Sequence, residues 1–308
     1  FFTNTGRVYA ERVYLIPEGS RTAKGRSIKN LLNLKPDEKI ASVLRIPAVG
    51  EGDKDTTWDE NKYVVFATHN GTVKRTNLGE FRNIRKDGII AINILDGDHL
   101  IGCALTEGCN ELVLVTHEGM SLRFKEYAEM ADAAVGEEDS AEETDTDVAD
   151  AAEGDAVEQK GKGGIRDQGR NSIGVRGIRL AKGDYVVSLA VVDPAATLLV
   201  ASENGIGKRS QFDEYRIQSR GGKGIITMKT TDKTGKVVGA LVVLESDDVM
   251  LMTTTGQSVR IPVNQIREAG RNTMGVKLIS LREGELLQDI ARVLNDGDEE
   301  SPADAPED

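Results

Sequence analysis

A short turn built on glycine recurs five times along the chain, and it narrows the possible folds more than any other feature. The copies are Thr5-Gly6-Arg7-Val8-Tyr9, Asn70-Gly71-Thr72-Val73-Lys74-Arg75, Glu118-Gly119-Met120-Ser121-Leu122-Arg123, Asn204-Gly205-Ile206-Gly207-Lys208-Arg209 and Thr255-Gly256-Gln257-Ser258-Val259-Arg260. Their glycines lie 65, 48, 86 and 51 residues apart, and insertions account for the two long spacings, so the underlying period is about 50. Asn-Gly between apolar, β-rich runs predicts a two-residue hairpin turn, whose central residues both take positive φ.

The order within a copy is constant. In the second, residues 63–68 read as a strand, Asn70-Gly71 turns, residues 73–76 return, and a polar link leads to a third strand at 88–95. Asp96-Gly97-Asp98 then turns into a fourth strand at 100–105. Third strands are expected also at 27–34, 174–180, 224–230 and 275–281, and fourth strands at 40–46, 186–192, 237–244 and 286–293. Four strands per unit predict an all-β, propeller-like stack in which each blade buries its faces against its neighbours. A β-sandwich would supply many short strands but not this fixed order of turns.

The 308 residues are 39% hydrophobic but only 4% aromatic, so the core must be mainly Val, Ile and Leu. No run of 18 apolar residues and no basic-then-apolar leader occurs, so neither a membrane span nor a secretion signal is expected. Opening on Phe1-Phe2 without Met, the chain reads as a piece of a longer protein. Cys103 and Cys109 have neither CxxC spacing nor a His pair beside them, which suits an intracellular protein without disulfides. His69 and His117 fall at equivalent turn positions and are expected to be exposed there. With no P-loop, dinucleotide fingerprint or HExxH, no active site, cofactor or metal is expected.

Charge is distributed unevenly. The formal net charge is −12, yet residues 137–158 hold 11 acidic and no basic residues, and 296–308 hold 7 acidic and no basic ones. Setting these 18 carboxylates aside leaves 33 against 39 cations, a net +6. A basic folded part over 1–295, interrupted by a disordered acidic insertion at 136–159 and followed by a disordered acidic tail at 296–308, is therefore expected.

Each copy also places cations between its second and third strands. They are Arg21, Lys24 and Arg26; Arg82, Arg85 and Lys86; Lys160, Lys162, Arg166 and Arg170; Arg216, Arg220 and Lys223; and Arg267 and Arg271. Hairpin cations Lys74, Arg75, Arg123, Lys125, Lys208, Arg209 and Arg260 accompany them. One such run is usually a solvated face, whereas five in register around a disc would make a curved basic rim suited to the phosphates of a bent duplex.

Three stretches carry a family likeness. Val13-Tyr14-Leu15-Ile16-Pro17 followed by residues 21–34, then residues 170–180 and Gly270-Arg-Asn-Thr-Met-Gly275, resemble repeats of the C-terminal DNA-wrapping domain of bacterial DNA gyrase A, the first of them its second repeat. The resemblance covers the chain apart from its acidic segments. It implies a β-pinwheel of four-stranded blades, open or spiral, with strands exchanged between blades. It further implies non-sequence-specific wrapping of duplex DNA in a bacterial cytoplasmic enzyme, with the rest of gyrase A and the companion gyrase B protein as partners. The domain itself would be non-catalytic and its parent an ATP-dependent type IIA topoisomerase. The family's gyrase A box belongs to the first repeat, so that box and one blade would be missing here. Gln218-Ser219-Arg220-Gly221-Gly222-Lys223-Gly224 is box-like at the matching place in the fifth repeat, with Ser219 where the family has a cation. A mobile polyanion tethered beside a basic rim would compete with DNA, so the acidic segments are candidate modulators of wrapping. Two other readings stay open: a topoisomerase IV C-terminal domain guiding substrate choice without strong wrapping, and a protein-binding propeller scaffold.

Overall fold

The structure is a computed structural model that describes residues 1–19, 25–47, 58–127 and 164–293. Arg21, Lys24, Lys160 and Lys162 lie outside the described residues, as do the insertion at 136–159 and the tail at 296–308.

The first strand of a repeat shows how its residues specify the packing. In β4 (Tyr63–Thr68), Val64 and Phe66 face a core shared with Phe2 and Val8, while Val65 and Ala67 face one shared with Leu112, Leu114 and Phe124. Successive side chains of a strand point to opposite faces, so an unbroken apolar run serves a sheet covered on both sides. The same division recurs in β8 (Glu111–Thr116) and β12 (Thr197–Ser202). Fully burying one such Val, Leu or Phe contributes roughly 1.5–3 kcal/mol, so four shared cores supply most of the cohesion between blades.

Each repeat returns through a second strand: β2 (Arg7–Val8) from β1 (Phe2–Thr3), β5 (Thr72–Asn77), β9 (Met120–Lys125), β13 (Ile206–Gln211), and β17 (Ser258–Pro262) from β16 (Asp248–Thr253). The turn between them is not the two-residue Asn-Gly hairpin expected. In the second repeat the Gly71 N–H donates to the Thr68 carbonyl and Ala67 pairs with Val73, so His69 and Asn70 form the turn and Gly71, at φ 82°, follows it as a left-handed bulge residue. Glycine is needed there for a second reason. The next repeat lies on it, and a Cβ on Gly119 would run into the Met228 carbonyl oxygen.

The third strands are only two residues long and pair outside their own repeat. β6 (Ile89–Ile90) joins β2, β10 (Val175–Arg176) joins β5, β14 (Ile225–Ile226) joins β9 and β18 (Val276–Lys277) joins β13. The fourth strands stay at home and lie innermost: β3 (Ile40–Ser42), β7 (Leu100–Thr106), β11 (Val186–Val191), β15 (Val237–Val243) and β19 (Leu287–Val293). Four blades thus have four strands, ordered fourth, first, second, and third of the following repeat; the fifth, among the described residues, has three. This is an all-β, propeller-like arrangement in which every neighbouring pair of blades shares a strand.

The expected third strand at 27–34 is absent. Ile28–Asn30 form a 3-10 turn instead: each observed third strand pairs with the second strand of the repeat before its own, and the described residues hold no repeat before the first to supply those backbone partners. A related difference concerns the apolar pair that hooks each repeat onto the blade before it. Leu78 and Phe81, Phe212 and Tyr215, and Val263 and Ile266 are all buried, whereas their counterparts Val13 and Ile16 are 72% and 41% exposed.

The inner edge carries a stair of backbone hydrogen bonds. His69 N–H donates to the His99 carbonyl, and the His69 carbonyl accepts from Val186 of the next repeat; His117 repeats this with Tyr185 and Val237, and Glu203 with Lys236 and Leu287. Each blade's turn is thereby tied to the following blade's innermost strand.

Candidate nucleic-acid interface

The second-strand cations do not form a solvent-facing set. Lys74 is fully buried, and its ammonium donates to the carbonyls of Ala91 and Arg170, each at 2.7 Å. Burial lowers its pKa to about 7. Lys208 is likewise buried, donates to the carbonyls of Gly270 and Arg271, and is lowered by burial to about 8. These two lysines, read from the sequence as DNA contacts, instead pin the link of the following repeat from beneath. The reason is topological: third strands cross the second strands of the preceding repeat, so a side chain at this position points into the seam, where backbone oxygens accept its hydrogen bonds.

Arginines one residue further on do related work. Arg75 donates to Asp167 at 2.6 Å and to the Gly108 carbonyl at 3.2 Å while lying over the Tyr63 ring. Arg123 pairs with Glu111 and donates to the carbonyls of Phe212 (2.6 Å) and Tyr215 (3.1 Å), fastening the fourth repeat's hook. Arg209, 4% exposed, donates to the Ile266 carbonyl at 2.9 Å. Arg260 is the exposed member and pairs with Asp248 at 2.6 Å.

The links form a band along the outermost strands. Asn93 N–H donates to the Ser172 carbonyl, Arg179 N–H to that of Gly222 and Lys229 N–H to that of Thr273, so the links of repeats three, four and five each accept from the repeat before. Link arginines reinforce this joint. Arg220 reaches back to the Arg176 carbonyl at 2.8 Å and Arg271 to the equivalent Ile226 carbonyl at 2.7 Å. Burial, and then the charge of Arg166, lower the Arg220 pKa.

Within the box-like motif, Gln218 N–H donates to the Arg123 carbonyl and Gly221 N–H to that of Gly177, while Ser219 and Lys223 are exposed. Gly224, at φ 79°, lies so near Ser121 that a Cβ would strike its carbonyl oxygen. Of the three glycines only Gly224 serves a close backbone crossing, Gly221 takes a positive φ of 82° with nothing nearer than 3.9 Å to a Cβ, and Lys223 is the motif's outward-facing cation.

Arg26, Arg82, Arg85, Lys86, Arg166, Arg216 and Lys223, with Arg267, are exposed on successive links, and Arg82 makes a 2.9 Å pair with Glu60. Arg170 and Arg271 are half-buried. Sequence reasoning missed Arg176, Arg179, Lys182, Lys229 and Lys277, all exposed on or just after third strands. Read as strand residues, they carried no signal of facing outward. The strand exchange puts them on the outermost edge beside the links.

The histidines also depart from expectation. His69 and His117 are half-buried at the inner end of the blades, stacked on opposite faces of Tyr185 with centroids 4.3 and 4.4 Å away. Cys103 and Cys109 are free thiols, and burial pushes Cys103 up to about 12. No helix among the described residues is long and apolar enough to cross a membrane.

Known proteins share this architecture. The C-terminal domain of DNA topoisomerase IV superposes with a TM-score of 0.70 at 25% identity, over 95% of this chain and 77% of that one. A DNA gyrase A C-terminal domain does so at 0.69 and 22%, over 95% and 81%, a likeness of fold. In sequence, the DNA gyrase A protein of Neisseria gonorrhoeae is 39% identical over 98% of this chain and 33% of its own length. That of Escherichia coli (strain K12) is 40% identical over 97% and 29%. The chain spans about a third of the length of these relatives. The profile described as DNA gyrase C-terminal domain, beta-propeller, matches residues 1–47, 62–107, 110–128, 163–193, 196–244 and 247–293, each segment coinciding with a repeat or half-repeat traced above. The chain belongs to the family of DNA gyrase C-terminal, β-propeller domains.

Proposed function

We propose that this chain binds duplex DNA through its outer band, without reading base sequence, and bends it around the blades as the wrapping domain of a gyrase A protein. The observation that carries the reading is the joined band of links, which holds exposed cations of successive repeats on one continuous edge. Smooth bending of 20–30 base pairs costs roughly 1–6 kcal/mol, so one phosphate contact is too few and contacts repeated from blade to blade are required. Binding through phosphates releases counterions, hence affinity falls steeply with salt while differing little between sequences. In this reading the chain carries no catalytic group. The rest of gyrase A, together with gyrase B, supplies ATP-dependent strand passage, and the wrap biases it toward negative supercoils.

The candidate contacts are Arg26, Arg85, Lys86, Arg166, Arg216, Lys223 and Arg267, with Arg176, Arg179 and Lys229 beside them. Arg82, Arg170, Arg220, Arg260 and Arg271 are engaged within the protein and belong to the set through whatever part of each guanidinium faces out. Lys74, Lys208 and Arg209 do not.

Relaxed circular plasmid, ligase and increasing protein, with salt varied, test the proposal. A shift in linking number is expected, and its sign gives the hand of the wrap. The structural likeness to a topoisomerase IV C-terminal domain favours a second reading, in which DNA is held without strong wrapping. Salt-sensitive binding with no linking-number shift would select it. Failure to bind DNA at low salt would overturn both and leave a protein-binding scaffold.

A further inference from the structure

At the inner end of the second blade, two of the chain's three histidines meet a carboxylate. His69 begins the hairpin turn, and Asp98-His99 immediately precede β7; one ligand atom from each of the three lies within 4.8 Å of the others. Nothing in the local sequence pattern announces this, since the histidines are 30 residues apart and meet only because the innermost strand starts beside the turn. From this juxtaposition we propose a site for a borderline divalent transition ion of the zinc class, held by His69, Asp98 and His99, with a remaining position open to water.

Two of the three donors are already oriented. Asp98 Oδ1 accepts the N–H groups of Asn70 (2.9 Å) and His99 (2.8 Å), which fixes the carboxylate. His69 Nδ1 lies 3.2 Å from Asn70 Oδ1, and donation along that bond leaves Nε2 with its lone pair. Ligand nitrogens whose second nitrogen is hydrogen-bonded are typical of built metal sites. Two neutral imidazoles and one carboxylate match zinc-class preferences, and three protein ligands with one open position form the usual open site. Metal–ligand bonds of about 2.0–2.1 Å place tetrahedral ligands about 3.4 Å apart. To reach that, the rings, whose centroids are 4.5 Å apart and whose planes are tilted by 31°, must turn toward the adjoining cleft of about 370 Å³, His69 sliding on the Tyr185 ring against which it is stacked.

The third blade provides an internal control. There Asp184 Oδ1 accepts the N–H groups of Glu118 (3.0 Å) and Tyr185 (2.8 Å), as Asp98 does in the second blade, and His117 occupies the place of His69. Tyr185 stands where the second blade has His99. The backbone frame is therefore structural and forms without a second imidazole, so His99 is the addition that completes a ligand set. It also identifies a replacement that this frame accepts.

Zn²⁺ titration by calorimetry of the full, untagged, chelator-treated chain tests the site, with Co²⁺ absorption reporting its geometry. Wild type should bind one ion tightly. His99→Tyr should bind it at least about 10–100-fold more weakly, the loss that changes to outer-shell partners alone produce. Asp98→Asn, which can keep the turn bonds through its remaining oxygen, should weaken it similarly, whereas His117→Ala should leave it unchanged. Weak binding by the acidic segments is common to all variants, so only differences count. Equal affinity of wild type, His99→Tyr and Asp98→Asn would overturn the site, as would an equal loss in His117→Ala. DNA binding is measured separately at the outer band, so failure here leaves the proposed function standing.

Discussion

Two sets of cations occupy the same seam and have opposite fates. Those on the second strands, Lys74, Arg75, Arg123, Lys208 and Arg209, point into the joint between repeats and donate hydrogen bonds to carbonyls and carboxylates. Those on the links, such as Lys86, Arg216 and Lys223, stand in water. Both sets recur from repeat to repeat, and both add to the same count of basic residues. The difference shows that periodic charge can be a fastening as easily as a binding surface. A buried amine or guanidinium is tolerated only where oxygens surround it, and the strand exchange brings a line of backbone carbonyls across each second strand.

The sharpest way to break this comparison is to remove a fastening. Arg123→Ala leaves the carbonyls of Phe212 and Tyr215 and the Glu111 carboxylate without their partner, and denaturant unfolding should show a loss of about 3 kcal/mol. DNA affinity of the folded variant should hardly move; a large affinity loss with unchanged stability would place Arg123 in the binding set after all.

The reverse result is expected on the links. Arg216→Ala combined with Lys223→Ala should leave unfolding unchanged, flatten the slope of log K against log salt by about 2, and weaken binding roughly 50-fold near 0.1 M salt. An unchanged slope would remove both residues from the interface.

A pH series sharpens the contrast further. Because Lys74 titrates near 7 in the folded chain against 10.5 when exposed, the unfolded chain holds a proton that the native state has released between those values. Stability should therefore rise with pH across that window, by about 2 kcal/mol between pH 7 and 9 relative to Lys74→Met, and be insensitive to this group well below 7. No pH dependence in the difference would mean that the amine stays charged in its carbonyl cage.

The smallest effect is expected from deleting residues 136–159, which carry the acidic run. If that segment competes for the band, DNA affinity should rise a few-fold at low salt and the gain should vanish as salt screens it. Unchanged affinity would make the segment a spacer.

Much of the architecture was legible because period and alternation are local properties. The turn glycines marked the hairpins, and runs such as Val64-Val65-Phe66-Ala67 announced strands covered on both faces. Fourth strands fell where turn chemistry placed them. Third strands were overestimated, and the one at 27–34 was wrong, since a strand requires a partner and the partner belongs to another repeat. For the candidate site, register was the signal that singled out the link cations, and those among the described residues stand exposed or half-buried on the links. Arg176, Arg179 and Lys229 were missed because outward direction there follows from strand exchange.

The sequence by itself determined the repeat, the composition of the cores and the separation of basic from acidic segments, since each follows from which side chains recur at which spacing. Tertiary structure alone decided which cations face water, which are caged, and that His69 would stand beside His99. Those outcomes depend on where one repeat crosses its neighbour, and contacts between residues 30 to 100 positions apart leave no mark in local periodicity.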